Sequence, residues 1–167
     1  MTDDEAPRGA PRTAERRGLR GTWTALLPIT YALHILEEYR AGETFYGWIS
    51  RVAGVQLGAA AFLAINRTAF VVLTLAVVLA NVVPGLEWMI AALGSVITIN
   101  ALLHGSLSIL TASYSPGTVT GVLLWLPLGL FILRRAWTAL PRRTFWPAVA
   151  VGVLLHAMVT LTALNAP

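Results

Sequence analysis

His34, Glu37 and Glu38, in the run His34-Ile35-Leu36-Glu37-Glu38, are spaced so that a helix would carry all three on one face. The imidazole offers a nitrogen ligand or a general base, and the carboxylates offer oxygen ligands or proton-transfer groups. The reversed spacing, Glu-x-x-His, supplies metal ligands in carboxylate-bridged bundles, so the pattern suits a cation without naming it. The run ends an apolar stretch that begins at Thr22. Ionisable groups in such surroundings are costly and by default mark a functional site.

Two further constellations fall in later apolar runs. Asn100, His104 and Ser108 follow at four-residue intervals on one helical face, and His156 precedes Thr160 by one turn. These are all the chain's histidines, and the chain has no cysteine. Sulfur-ligated metal, thiolate nucleophiles and disulfides are therefore excluded, and a metal must be held by His, carboxylate, amide or water. The expected ligands are His34, His104, His156 and Glu38, with zinc or iron as the cation. Glu37 and Glu38 are the expected catalytic acid and base. Asn100, Ser108, Trp125, Tyr39 and Tyr114 are the expected substrate-binding side chains. A purely structural alternative pairs Glu37 with Arg40 at i, i+3 near an interface.

These residues are set in a chain that is 56% hydrophobic and 12% charged, with a mean hydropathy of +0.69. Soluble domains carry roughly twice that charge. The expectation is an all-α, polytopic transmembrane bundle of about five spans. All twelve basic residues are arginine and the net charge is +4. The arginines flank apolar runs, where they serve topology, so the expected partners are the lipid bilayer and an apolar small molecule, with no nucleic acid.

Residues 1–21 hold Asp3, Asp4, Glu5, Arg8, Arg12, Arg16, Arg17 and Arg20 with little large apolar surface, and read as a disordered cytoplasmic tail. Residues 22–167 read as one transmembrane domain. The expected spans are 22–40, 68–84, 87–111, 118–134 and 146–164. Residues 41–67, with an aromatic stretch from Phe45 to Val52 and a short apolar run from Val52 to Ile65 between Arg51 and Arg67, read as an interfacial or re-entrant helix. Arginines before the first span, and Arg134, Arg135, Arg142 and Arg143 between the last two, place both regions on the cytoplasmic side. Five crossings satisfy both. Pro84-Gly85 and Tyr114-Ser115-Pro116-Gly117 read as turns, Pro28 and Pro127 as kinks within spans, Glu87 as a helix-terminal acid, and Trp23, Trp137 and Trp146 as interfacial aromatics.

Depth links the constellations. In this topology the spans bearing His34, His104 and His156 all run outward. At 1.5 Å per residue His34 lies about 18 Å along its helix, Asn100 about 20 Å, His104 about 26 Å and His156 about 15 Å. One shared site is expected.

At His34, Glu37 and Glu38, at Asn100 with His104, at the turn 114–117 and at His156, the chain resembles the HXXEE family, small bacterial membrane proteins named for this motif and without an assigned activity. The resemblance spans roughly residues 23–160. It implies a place in the bacterial cytoplasmic membrane and supports the site residues, while leaving the reaction open. The expected chemistry is a metal-dependent membrane enzyme acting on a lipid or isoprenoid-like substrate, where a divalent cation offsets carboxylate burial and lowers the pKa of coordinated water towards 7. Two alternatives stand beside it. One is a metal-free acid–base isomerase or cyclase using Glu37 and Glu38, with Trp125 shielding a cation. The other is a non-catalytic metal- or lipid-binding membrane protein.

Overall fold

The computed structural model describes residues 18–40 and 42–166, and every regular element among them is helical. A 3₁₀ turn, Thr22–Ala25, leads into α1 (Leu26–Arg40), followed by α2 (Phe45–Ala53) and α3 (Ala59–Val82). The chain continues through α4 (Trp88–Leu110), α5 (Thr118–Ala139) and α6 (Arg142–Leu164). Helices α3 to α6 are each long and apolar enough to cross a membrane. They correspond to the last four expected spans; α1, 15 residues long, occupies the first but is not among the four span-length helices, and α2 is the short helix expected between the first and second. The fold is an all-α transmembrane bundle.

Outward-facing positions carry large apolar side chains, among them Leu123, Leu154 and Val82. Such a surface suits hydrocarbon, where each helix must satisfy its own backbone and apolar side chains need no cover. Helix α4 is the most enclosed of the four long helices. It packs on α3, α5 and α6. Small residues fix its register: a Cβ at Gly152 of α6 would lie 2.3 Å from the Ala92 carbonyl oxygen, and one at Gly129 of α5 would lie 2.1 Å from Thr98 Oγ1. Helix backbones in membranes approach this closely only where side chains are small. These close approaches, at Ala92 and Thr98, fall in the half of α4 that precedes Asn100 and His104.

Several boundaries differ from expectation: α5 runs on to Ala139 and α6 begins at Arg142, so Arg134, Arg135, Arg142 and Arg143, expected between the last two spans, lie within helices. Helix α3 begins at Ala59 rather than residue 68, so Arg67 lies inside it, exposed. A long arginine side chain can run along the helix and keep its charged head at the surface, so it need not end the helix. The Val52–Ile65 run is accordingly divided at residues 54–58. Gly54, in the left-handed conformation, ends α2, and Thr44 caps its start by accepting from the Gly47 amide. Part of the expected tail also packs on the bundle: Leu19 is buried, the Gly21 amide donates to Asn81, and Arg20 pairs with Glu87 at 2.6 Å. Glu87 thus meets a cation rather than capping α4 with its side chain. Residues 1–17 of the expected tail lie outside the described residues.

The prolines are absorbed locally. Pro28 stands in the first turn of α1, directly after the 3₁₀ turn, where a missing N–H has no intrahelical partner to lose. Pro127 follows a π-helical segment, Gly121–Trp125, inside α5. That wider turn brings Trp125 into the bundle, where it is buried. Arg135 donates to the Gly18 carbonyl and lies over the Trp23 ring at 5.1 Å. The chain entering α1 and the end of α5 therefore meet at one end of the bundle.

Candidate metal centre

The opposite end holds the polar residues. His34 and Glu38 sit four apart on α1, and α4 brings His104 across to them. All three are buried. Glu38 Oε1 lies 3.6 Å from His34 Nε2 and 3.3 Å from His104 Nε2. One donor atom from each residue lies within 4.8 Å of the others, and this is the metal-competent group among the described residues. The imidazoles meet edge to face, with centroids 5.1 Å apart.

Each ring is held from behind. His34 Nδ1 hydrogen-bonds Thr120 Oγ1 at 2.8 Å, and His104 Nδ1 hydrogen-bonds Ser115 Oγ at 3.0 Å. With Nδ1 engaged, each Nε2 turns to Glu38. Oriented imidazoles of this kind are the usual companions of metal sites. Trp125 stacks on His34 at 3.9 Å and 27°, and its indole N–H donates to Thr30 Oγ1 at 3.2 Å. Phe45, delivered by α2, packs against His104 at 5.4 Å. Among the described residues, His34 and His104 are the basic side chains within 4.0 Å of Glu38. His34 Nε2 has no hydrogen-bond partner. A buried carboxylate between two imidazoles and an unpartnered nitrogen are features that a cation would resolve.

The turn expected at 114–117 is itself part of this centre. Gly117 adopts φ +101°, and a Cβ there would lie 2.8 Å from the Cε1 atoms of both His34 and His104. Only glycine fits this conformation and this approach. Glu37 secures the turn. Its Oε1 accepts from the amides of Gly117 at 3.1 Å and Val119 at 2.9 Å, and from the Tyr114 hydroxyl. Its Oε2 accepts from the Thr120 amide at 2.7 Å. A carboxylate from α1 thereby meets the unpaired N–H groups at the start of α5, a favoured place for an anion. Its partners are these groups rather than Arg40. Tyr114 lies between α4 and α5, and burial with the hydrogen bond to Glu37 pushes its phenol up to about 12.

The remaining expected residues divide by position. Asn100, Trp125 and His156 line the same cavity as His34, Glu38 and His104, a space of about 200 Å³. Asn100 Oδ1 and His156 Nε2 are buried without hydrogen-bond partners. His156 is not a member of the compact group. Ser108 bonds Thr118 Oγ1 at 2.7 Å and accepts from the Ser115 amide at 2.9 Å, tying α4 to the turn. Tyr39 is partly exposed and faces Tyr46. Ser108, Tyr39 and Tyr114 are not among the residues lining the cavity.

Ser115, Gly117 and Thr120 were not expected at the site. Their signal lay in the concentration of hydroxyls and glycine in Ser115-Pro116-Gly117-Thr118-Val119-Thr120, more polar than a plain turn between two spans requires.

Comparisons with curated proteins and with solved structures find no match. The sequence from residue 25 to residue 132 matches a family described as "Protein of unknown function with HXXEE motif". The match takes in His34, Glu37, Glu38, His104 and the turn that joins them, while His156 lies beyond it, and the chain belongs to the HXXEE family.

Proposed function

We propose that the chain is a membrane-embedded, metal-dependent enzyme. In this reading His34 Nε2, His104 Nε2 and Glu38 Oε1 hold a divalent cation, zinc or iron, and the substrate is an apolar molecule drawn from the bilayer. The observation that carries this reading is the pair of separations around Glu38 Oε1, 3.3 and 3.6 Å. Two donors bound to one tetrahedral ion at 2.0–2.1 Å are themselves about 3.4 Å apart. Two imidazoles and one carboxylate also form the donor set of catalytic zinc sites that keep an open position, and of non-haem iron sites.

A bound cation would supply Lewis acidity. The side chains of this protein supply the rest. Thr120 and Ser115 orient the two imidazoles, Trp125 shields one side of His34, and Asn100 and His156 present free polar atoms to a substrate. Glu37 is a positioning residue: it fixes the turn that carries Ser115, Gly117 and Thr120. The larger part of the cavity wall is apolar, including Ile35, Leu103 and Val159, as suits a substrate that arrives from hydrocarbon.

The stacking of Trp125 on His34 favours a second reading, acid–base catalysis without metal, in which Glu38 donates a proton and the indole face stabilises positive charge. Glu37 is not available to that reading, because four donors already occupy its oxygens.

Elemental analysis of the purified full chain, followed by incubation with extracted membrane lipid and mass spectrometry, separates these readings. The proposal expects about one zinc or iron per chain, little in His104→Ala, and a lipid change that chelation abolishes. A lipid change that survives chelation but is lost in Glu38→Gln supports the metal-free reading. Stoichiometric metal with no lipid change supports a binding protein.

A further inference from the structure

A second cavity, of about 410 Å³, adjoins the site between α3, α4 and α6. Tyr31, Ile65, Ala69, Val96 and Val159 line both spaces, so the two are adjacent and share these side chains. Both walls are largely apolar, and they differ in their polar groups. The first contains the His34–Glu38–His104 group together with the unpartnered Asn100 Oδ1 and His156 Nε2. In the second, the Thr68 and Thr162 hydroxyls donate back to carbonyls of their own helices, and Tyr31 is engaged by Asn66. A water molecule needs two to four polar partners, and these hydroxyls, their protons already given, offer it only acceptor lone pairs. A hydrocarbon chain needs none.

The second cavity also reaches the outer surface of the bundle. Val72 of α3 and Met158 of α6 belong to its lining and are both more than half exposed, at 53% and 56%. These helices lie within the transmembrane bundle, so what meets that rim is lipid. Along α4, Leu93 in the second cavity stands about 10 Å from Asn100 in the first.

We infer that the substrate is an amphiphile of the membrane that enters sideways between α3 and α6. Its single hydrocarbon chain occupies the apolar cavity, and its polar end lies at Asn100, His156 and the His34–Glu38–His104 group. This inference rests on the proposed site and adds to it a lateral entrance, a chain-binding subsite and a substrate class defined by one polar end and one long apolar tail. Ala69 and Val159 stand at the junction on opposite walls, so a larger side chain at either would part the two spaces.

The test is photolabelling of the full chain in phosphatidylcholine nanodiscs with palmitic acid bearing a diazirine near its end, read by peptide mass spectrometry. Label is expected on α3 and α6 at the cavity lining, around Val72 and Met158, and to fall about tenfold in Ala69→Phe, equivalent to one decade in affinity. Val159→Phe is expected to do the same from the other wall, so a fold defect in one variant leaves the question decidable. Bound metal is expected to be unchanged in both. Label spread evenly over outward positions such as Val78 and Leu154, and indifferent to both substitutions, overturns the inference even when metal is present. Label in the cavity without metal retains the lateral subsite and removes the metal reading instead.

Discussion

Glu37 and Glu38, expected on one face of α1, point to two faces of it with opposite surroundings. On one face Glu37 is saturated, with three backbone amides and a phenol converging on its oxygens. On the other Glu38 is buried between two imidazoles, one of which has an Nε2 without a partner. The first face holds structure together and the second leaves a buried imidazole nitrogen without a partner. The two acids of the motif are therefore not equivalent, and the clamp at Glu37 is what brings the hydroxyls and glycine of the turn up against His34 and His104.

Substitutions that break this asymmetry should rank by how directly they touch the open face. Glu38→Gln is expected to weaken zinc or iron binding by more than about 100-fold, beyond the 10–100-fold typical of outer-shell changes, with little loss of thermal stability. Metal titration of purified variants checks this. Gly117→Ala is expected to impair both faces together. Its Cβ would meet both imidazoles at 2.8 Å, and the backbone strain alone costs roughly 1–3 kcal/mol, visible as a lowered Tm together with lost metal.

Glu37→Ala leaves the amides of Gly117, Val119 and Thr120 without their carboxylate and should cost about 1–2 kcal/mol of stability, the scale of a lost helix cap with its charge. Glu37→Gln keeps an acceptor and should recover part of that, whereas a catalytic acid would not be replaced by Gln. Thr120→Val removes the hydroxyl behind His34 and is expected to lower metal affinity about 10–100-fold without unfolding the protein.

The smallest effect concerns Tyr114. Its folded pKa is raised, to about 12, so its contribution is complete below the phenol's ordinary value of about 10 and is lost as pH rises through about 12. The stability difference between the wild-type chain and Tyr114→Phe should be constant through neutral pH and shrink only in strong alkali. Denaturation at a series of pH values measures it.

The bundle was legible because hydrocarbon imposes long apolar runs and reserves ionisable groups for special positions. His34, Glu38 and His104 stood out for that reason, and they line one cavity together with Asn100 and His156. Helix ends were harder to read. Arg67 looked like a boundary, yet a single snorkelling arginine is compatible with a continuous α3. The division of labour between Glu37 and Glu38 was hidden because it depends on where the start of α5 lands. That contact joins residues about eighty apart in sequence and involves backbone amides, which no side-chain pattern reports. Ser115 and Thr120 escaped for a related reason: a hydroxyl in a turn has many local uses, and its aim at an imidazole is a tertiary fact.

X-ray absorption spectroscopy of the purified chain loaded with zinc or iron interrogates the open face most directly. Two imidazole nitrogens and one carboxylate oxygen at about 2.0–2.2 Å are expected, with one imidazole lost in His104→Ala and the carboxylate lost in Glu38→Ala. A spectrum showing only solvent oxygens, unchanged by either substitution, would contradict a cation held by His34, Glu38 and His104.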